Sequence, residues 1–333
     1  MARLILHVGT HKTGTTTIQD TLFHNRAQLS RRGVIYPRIG LSRGQHGLVC
    51  VWNQLPFPFA IEDPAAAWDR LVRRWAGTDA TVFVSSEEFS RALPENRRVD
   101  MAELRARLRP FDEVRLVCTL RRQPDFLQSI YQQISRDRPG PPLEPFLTQA
   151  RKSAVASGLW LDYRHLYQHF LCGFAPEEIV LISYEGAKRA PGGVLGACLA
   201  VIDPALAPEE LEALDRGDSN VSPNPLAQFM ANTLAAPGSA SDWAIGIAED
   251  ILREHFGTDR PMTLFTTAEM RAFRARFGPA NRALEKAVAP YQPGFALERI
   301  SPAREAVSRQ DITAAVWRRY ARAIWRARHA AVA

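Results

Sequence analysis

The stretch that most constrains the fold of this chain runs from Arg3 to Gln19 and reads RLILHVGTHKTGTTTIQ. Its apolar start, Leu4 to Val8, is long enough for a buried strand. After the stretch's polar middle, Ile18 and Leu22 recur at the spacing of one helix face. The pattern therefore predicts a strand, a turn and a helix, and the turn contains Gly9, Gly14, Thr15, Thr16 and Thr17.

A turn of this kind has the build of an anion-binding site. Glycines allow the backbone to curl tightly, and the free N–H groups at a helix N-terminus point into the turn. The helix dipole adds about half a positive charge there. Lys12 adds a full cation to the same turn. We expect a phosphate, or a group of similar shape and charge, to bind here.

The turn differs from the Walker A loop of nucleotide triphosphatases, which has the pattern G-x-x-x-x-G-K-[ST]. Gly9 and Gly14 have the right spacing, but Thr15 stands where the lysine belongs. The lysine lies two residues before the second glycine instead, at Lys12. Because the displaced lysine reaches different oxygens, hydrolysis of ATP or GTP is disfavoured. A P-loop nucleotide kinase stays open as an alternative hypothesis.

Composition and charge narrow the class of protein. The chain has 333 residues, of which 46% are hydrophobic and 23% charged, as is usual for a globular enzyme with a sizeable core. The net charge of +7 suits anionic ligands. No basic run is interleaved with aromatic residues, so we predict no nucleic-acid partner.

Compartment and metal content are predicted from what the sequence lacks. No signal peptide and no run of about eighteen apolar residues is found, so we expect a cytoplasmic protein without a transmembrane segment. The cysteines have no C-x-x-C spacing, which favours reduced thiols and no zinc site. They are Cys50, Cys118, Cys172 and Cys198.

Alternating strand and helix patterns predict an α/β fold, with a mostly parallel central sheet flanked by helices. We expect a single domain over 1–333, with an α/β core in 1–200 and a mainly helical part in 204–333. Further strands are expected at Val34–Tyr36, Ala80–Ser85, Val114–Leu120 and Glu178–Ser183. Helices are expected at Thr16–Arg32, Ala65–Ala76, Met101–Leu108, Phe146–Ala156, Trp160–Phe170, Pro191–Ile202, Thr267–Phe277, Ala280–Val288 and Ile312–His329, and a loop then a helix at Asp218–Leu234.

Candidate acid/base groups follow from the same fold. Ligands bind at the carboxyl ends of strands in open α/β sheets. Glu87 and Glu88 follow the strand Ala80–Ser85, and we expect Glu88 to charge the first turn of the next helix. His46 lies in a loop beyond the first helix, and such loops often cover an α/β site. His46 and Glu87 are therefore the candidates for the acid/base role.

The segment HKTGTTT, His11 to Thr17, resembles the 5′-phosphosulfate loop of sulfotransferases that use 3′-phosphoadenosine-5′-phosphosulfate (PAPS). The resemblance implies that Lys12 also neutralises the charge that develops on the departing phosphate oxygen. It implies a nucleotide-binding loop made of Lys12, Thr13, Gly14, Thr15, Thr16 and Thr17.

A second segment, LRRQPDFLQSIYQQ, resembles the element with which these sulfotransferases bind the 3′-phosphate. Arg121 and Ser129, eight residues apart, match that element's arginine and serine. Pro124 departs from the family by one position, so that alignment on the proline would select Arg122 instead. Arg121 is preferred because only it keeps the serine spacing. Tyr184 follows the expected strand Glu178–Ser183, where these sulfotransferases have a similar Tyr-Glu pair. The resemblance implies that Tyr184 contacts the nucleotide or lies near it.

The resemblance covers about residues 1–200 and implies in-line transfer of a sulfuryl group from PAPS to an acceptor hydroxyl, without a metal, leaving 3′,5′-adenosine bisphosphate (PAP). The general base would be His46 first, Glu87 second and His11 third. The implied acceptor is a carbohydrate, a glycolipid or a secondary metabolite.

Two matters are left open by the sequence. A catalytically silent protein that binds the nucleotide or a glycan without modifying it would show the same anion site. The basic segment Ile312–His329 could touch a membrane surface or an acidic glycan, although its charge pattern favours a docked helix with a solvated arginine face. The oligomeric state is not predicted.

Overall fold

The computed structural model describes residues 1–212, 222–301 and 305–330. Their architecture is α/β around a five-stranded sheet, so the predicted fold class is confirmed. The strands, in chain order, are β1 (Arg3–His7), β2 (Val34–Ile35), β3 (Thr81–Ser85), β4 (Glu113–Leu120), β5 (Val155–Ala156), β6 (Leu159–Trp160), β7 (Ile179–Ser183), β8 (Met262–Thr263) and β9 (Val307–Ser308).

Helices separate the strands and make up most of the last third of the chain. In chain order they are α1 (Thr15–His24), α2 (Arg26–Arg31), α3 (Pro64–Trp75), α4 (Met101–Arg107), α5 (Gln123–Ile134), α6 (Leu143–Ser153), α7 (Tyr163–Phe170), α8 (Tyr184–Arg189), α9 (Gly193–Ile202), α10 (Pro225–Ala235), α11 (Asp242–Phe256), α12 (Thr267–Val288) and α13 (Ala314–Ala330).

The central sheet is parallel and has the order β2-β3-β1-β4-β7. The chain leaves β1 toward β2 and β3 on one side, and later crosses to β4 on the other side of β1. The carboxyl ends of β1 and β4 therefore flank a topological switch point, which is where ligands bind in sheets of this type. The register pairs His7 with Ser85 and with Val117, so β1 and β3 end level with each other, whereas β4 continues to Leu120.

The described residues divide into two compact units. The first unit contains 1–122, 157–212 and 279–298, and the second contains 123–156, 222–278, 299–301 and 305–330. The whole central sheet belongs to the first unit. The predicted single-domain organisation of the chain, with its boundary near residues 200–204, stays a prediction.

The core of the first unit explains why β1 and α1 take their places. Leu4, Ile5 and Leu6 of β1 are fully buried, because both faces of a parallel sheet are covered. One cluster joins the sheet to α1 and α9, and it includes Ile5, Ile18, Leu22, Phe83, Val117, Leu199 and Ile202. The apolar face of α1 thus fixes the start of the helix next to β1.

The second unit is mainly helical. The Tyr320 hydroxyl of α13 donates a hydrogen bond to the Ala244 carbonyl oxygen of α11 at 3.0 Å. Arg309 contacts the carboxylate of Glu269 at 2.7 Å. Among the helices of the described ranges, none combines the length and apolar composition needed to cross a bilayer.

One predicted boundary is wrong, because α12 continues through Gly278 and Pro279 where the sequence predicted an end. A proline inside a helix loses one hydrogen bond and costs about 3 kcal/mol relative to alanine. The apolar stripe nevertheless continues across it, since Phe273, Phe277 and Leu284 are all buried. Burial of this stripe explains why the helix persists.

Other helix boundaries also differ from prediction. The first helix is interrupted at Asn25, whose side-chain amide donates to the Thr21 carbonyl oxygen at 2.8 Å. The predicted helix at Trp160 starts only at Tyr163, because the Asp162 carboxylate accepts hydrogen bonds from the first-turn N–H groups. The helix predicted to end at Ala156 ends at Ser153. Residues 218–221 of the segment predicted as loop then helix lie outside the described residues.

Candidate functional site

The loop after β1 has the backbone of an anion cradle. Gly14, the N-cap of α1, has φ of +82°, a left-handed conformation that favours glycine. Because glycine has no side chain, the first N–H groups of α1 lack a side-chain cap among the described residues. Lys12 also adopts positive φ, +63°, which is uncommon for a residue with a Cβ. The loop thus turns its backbone so that the helix N-terminus is open to an anion.

Thr15 places an unsatisfied hydroxyl at the base of this cradle. Its Oγ1 is buried and has no hydrogen-bond partner in the described part of the chain. A Cβ on Gly9 would lie 3.1 Å from this Oγ1 and 3.0 Å from His7 Nε2, which explains the glycine at that position. A buried polar atom without a partner is costly, so this hydroxyl is suited to a bound anion.

Hydrogen bonds to β4 hold the loop in place. The Thr10 N–H and hydroxyl both donate to the Thr119 carbonyl oxygen, at 3.1 and 2.9 Å. The Thr13 hydroxyl donates to the Thr10 carbonyl oxygen at 2.5 Å. Thr13 is therefore a buried support of the loop, whereas Thr16 and Thr17 are exposed at the start of α1.

Arg121 lies beside the loop, at the carboxyl end of β4. Its Nη1 donates to the Lys12 carbonyl oxygen at 3.0 Å, and its guanidinium carbon lies 5.0 Å from the centre of the Tyr184 ring. Its Nε is buried and has no hydrogen-bond partner among the residues described. The Tyr163 hydroxyl donates to the Arg121 carbonyl oxygen. The structure thus brings Lys12, Arg121 and Tyr184 together.

The alternative arginine, Arg122, donates its backbone N–H to the Glu185 carboxylate at 2.9 Å. Ser129 lies on α5, in the second unit. It is 5% exposed, and its hydroxyl has no hydrogen-bond partner in the described residues. Whether Ser129 completes a 3′-phosphate site with either arginine stays a prediction.

The two acid/base candidates lie next to each other. His46 begins a short 3-10 helix, His46–Val51, rather than an irregular loop. Its Nδ1 is 3.9 Å from Glu87 Oε2 and 2.8 Å from Ser86 Oγ. The Ser86 hydroxyl also accepts from the Glu88 N–H at 3.3 Å. Contact through Nδ1 fixes the imidazole ring and leaves Nε2 for another partner.

Sequence reasoning missed the side chains that support this pair. Gln19 Nε2, on α1, donates to Glu87 Oε2 at 3.2 Å and to the Ser85 hydroxyl at 3.2 Å. The Ser85 hydroxyl also contacts His7 Nδ1 at 2.9 Å. The polar residues that end β1 and β3, His7 and Ser85, were the available signal. Gln19 thus links the helix of the anion cradle to the acid/base pair.

Burial changes the charge state of His7. Its side chain is fully buried, and desolvation lowers the pKa of His7 to about 4, although the charge of Glu87 acts to raise it. Its Nε2 has no hydrogen-bond partner in the described ranges. His7 is therefore a neutral imidazole at physiological pH and carries no charge toward the cradle.

His11 and Glu88 form a second pair near the loop. His11 Nε2 lies 3.0 Å from Glu88 Oε1, and Arg91 Nε lies 2.8 Å from Glu88 Oε2. Burial acts to raise the pKa of Glu88, but the contacts with His11 and Arg91 outweigh it and lower that pKa to about 2. Glu88 is therefore a paired carboxylate, not a proton acceptor, and it orients His11.

The site combines two chemical capacities. The loop and Arg121 offer an open helix N-terminus, two cations and a free hydroxyl to a phosphate-like anion. His46 and Glu87 offer a proton acceptor with a charged neighbour. In the part of the chain that the structure describes, no three His, Cys, Asp or Glu side chains cluster as they would around a metal ion.

By sequence, no protein-family model and no curated protein match the chain. Among solved structures, the chain is similar to a sulfotransferase from Alicyclobacillus acidocaldarius, with 15% identity and a TM-score of 0.47, over 85% of this chain and 94% of that chain. A similarity of this size assigns no activity here, so a function has to be argued from the site itself.

Proposed function

We propose that the chain is a PAPS-dependent sulfotransferase that transfers a sulfuryl group to an acceptor hydroxyl. One observation carries the proposal: Gln19 joins the helix of an anion cradle to a His46–Glu87 pair through a 3.2 Å hydrogen bond. An anion site alone fits many ligands. An anion site next to a proton acceptor fits transfer of an anionic group to a hydroxyl.

The residues present suit PAPS. Lys12, Thr15, Thr16 and the N–H groups after Gly14 would hold the 5′-phosphosulfate, and the unpartnered Thr15 hydroxyl supports this assignment. Thr13 would shape the loop through its buried hydrogen bond, and Thr17 would add a further N–H. PAPS supplies the sulfuryl group when bound, and its departing phosphate oxygen takes the bonding electron pair.

The 3′-phosphate would be bound by Arg121, with Tyr184 fixing the guanidinium from one side. The contact of Arg121 with the Lys12 carbonyl oxygen supports Arg121 over Arg122. A guanidinium suits a phosphate dianion because its parallel N–H groups match two oxygens. Ser129 would add a hydroxyl, as the family resemblance implies.

His46 would take the proton of the acceptor hydroxyl at Nε2, since Nδ1 faces Ser86 and Glu87. Glu87 would then stabilise the imidazolium that forms. Lys12 would offset the negative charge that develops on the departing phosphate oxygen. The proton thus ends on His46, and the new bond joins sulfur to the acceptor oxygen. The acceptor would be a carbohydrate, glycolipid or secondary-metabolite hydroxyl.

The experiment that tests this proposal is a transfer assay with PAPS and a panel of hydroxyl-bearing glycans. The expected result is release of PAP that depends on the acceptor, together with an acceptor mass increased by one sulfate. Phosphorylation of the panel with ATP and magnesium would contradict the proposal and support a kinase. PAP binding without transfer across the panel would indicate a silent binder.

A further inference from the structure

An arginine-lined groove lies on the first unit, beside the edge strand β2. Its volume is about 720 Å³, within the usual range of about 300–1,000 Å³ for ligand sites. Its walls come from α2, from the segment after β2 and from α3 with the residues before it. Four arginines lie on these walls, and we call the cavity the arginine groove after them. They are Arg26, Arg38, Arg70 and Arg74.

The four guanidinium groups form no ion pair within the described residues, although the Arg26 guanidinium carbon lies 3.8 Å from the centre of the Phe23 ring. Arg43, just beyond the groove, pairs with Asp20 at 2.9 Å. No carboxylate of the described residues forms an ion pair with any of the four groove arginines. The Nη1 of Arg26 is buried, and no hydrogen-bond partner for it is found in the described chain. A buried donor without a partner is unfavourable, and an anionic ligand would satisfy it.

The balance of charge in the groove is positive. Glu62 and Asp63 also line it, but the Asp63 carboxylate accepts a hydrogen bond from the Ala66 N–H at 2.9 Å and so caps α3. Arg70 and Arg74 are four residues apart and share one face of α3. Like charges at this spacing destabilise a helix, and a bound anion would relieve their repulsion.

Gln45 connects the groove to the acid/base pair. Its side-chain amide donates to the carbonyl oxygen of Pro37, a groove residue, at 2.7 Å, and its Oε1 accepts from the Ser85 N–H at 2.8 Å. The next residue along the chain is His46. The Phe59 ring lies 5.0 Å from the His46 ring. Gln45 thus ties the segment after β2, which lines the groove, to the carboxyl end of β3, from which Glu87 follows.

We propose that the arginine groove binds a chain of acidic sugars. The carboxylates or sulfates of the sugars would contact the four arginines. The arginine fork matches both groups in two parallel hydrogen bonds. The only wall aromatic that is not deeply buried, among the described residues, is Trp75, and the Arg74 guanidinium lies 4.9 Å from its ring centre. The groove thus offers no open stacking surface, on which single-stranded nucleic acids depend.

The substrate role of this ligand rests on the proposed function: the acidic glycan would be the acceptor, with a hydroxyl next to the groove presented to His46. Binding of the glycan does not depend on that function. The two claims can therefore fail separately, and the test measures them with different ligands.

The test compares wild type with the double variant Arg70→Gln/Arg74→Gln and with the control Arg73→Gln. Arg73 is an exposed arginine on the same helix that does not line the groove. Glutamine has about the helix propensity of arginine, so all three proteins should fold. Binding of a heparin oligosaccharide is measured by titration without nucleotide. The same oligosaccharide after desulfation and carboxyl reduction serves as the neutral probe.

The double variant should bind the heparin oligosaccharide about tenfold more weakly than wild type. The affinity of the control variant should stay within about twofold of the wild-type affinity. The neutral probe should bind poorly to all three, and added salt should weaken binding of the acidic probe. Equal affinity of the double variant and wild type would overturn the proposal. Equal or tighter binding of oligothymidylate or anionic lipid vesicles, with the same dependence on Arg70 and Arg74, would also overturn it.

A melting-temperature shift with PAP, measured on the same proteins, separates the two claims. If PAP stabilises none of them while glycan binding depends on the arginines, the proposed sulfotransferase function fails and the groove assignment stands. If PAP stabilises all of them equally while glycan binding ignores the arginines, the groove assignment alone fails.

Discussion

His46 Nδ1 lies 3.9 Å from Glu87 Oε2, so the two residues that the sequence offered as competing bases are neighbours in the fold. The Ser86 hydroxyl contacts the same nitrogen at 2.8 Å. In the proposed function this arrangement gives them different tasks: His46 would present Nε2 to the acceptor, and Glu87 would stabilise the charged ring. The proposal thus replaces competition between the two candidates with a division of roles.

The first prediction compares the two members of this pair. His46→Ala should lower turnover by about a hundredfold or more, because a general base contributes about 10²–10⁴ in rate. Glu87→Gln should cost less, about tenfold, because it removes only the charge beside the ring. Turnover with PAPS is measured under saturating conditions, and PAP binding should survive in both variants. A larger loss in Glu87→Gln than in His46→Ala would reverse the roles.

The second prediction concerns the buried hydroxyl of Thr15. Thr15→Val should leave the unliganded protein as stable as wild type or up to about 1 kcal/mol more stable, since the removed group has no partner. It should weaken PAP binding about tenfold. Thr119→Val is the matched control, because the Thr119 hydroxyl is also buried with no partner among the described residues. Equal PAP affinities in the two variants would contradict a phosphate-binding role for Thr15.

The third prediction is a dependence of stability on pH. The pKa of His7 is depressed to about 4 in the folded chain by burial, against 6.5 for an exposed histidine. The unfolded chain therefore binds the proton first, and stability should fall as the pH drops from about 6.5 to about 4. Unfolding free energies at both ends of this window measure the loss, which is about 3 kcal/mol for one such group.

His7→Gln should remove the His7 share of this pH dependence. Part of it should remain, because burial also lowers the pKa of His169 to about 4. The variant should therefore lose about half of the decrease seen in wild type. An unchanged pH dependence in the variant would show that the pKa of His7 is the same in the folded and the unfolded chain.

The anion cradle was predictable from sequence because its signals are local. The strand, the glycines, Lys12 and the threonines follow one another within the stretch Arg3–Gln19. The acid/base network was only partly predictable. His7 meets Ser85 through the parallel register of β1 and β3, and no local pattern encodes a register between strands 78 residues apart.

The contact between Arg121 and the Lys12 carbonyl oxygen could not be predicted from the sequence either, because it depends on β4 lying next to β1. The prediction that the helix ends before Pro279 failed for a different reason. Proline is a strong local signal for a helix end. Here burial of Phe277 and Leu284 on both sides of it outweighs that signal.

The fourth prediction tests this explanation of α12. Pro279 is exposed, so Pro279→Ala should keep the packing and restore a helix hydrogen bond. We expect the stability to rise by about 1–3 kcal/mol, seen as a higher melting temperature. Pro293→Ala, in the segment after α12, is the control and should give no rise, because it only increases the freedom of the unfolded chain. A lower melting temperature for Pro279→Ala would show that α12 requires the proline.

The central claim is a site for a nucleotide that carries both a 5′- and a 3′-phosphate, and thermal stabilisation by PAP tests it most directly. At about a hundred times its dissociation constant, a ligand adds about 2.7 kcal/mol of stability. We predict a clear rise in melting temperature with PAP and a much smaller rise with AMP. The difference between these two rises should disappear in Arg121→Ala and remain in Arg122→Ala. Stabilisation by ATP with magnesium and none by PAP would contradict the account.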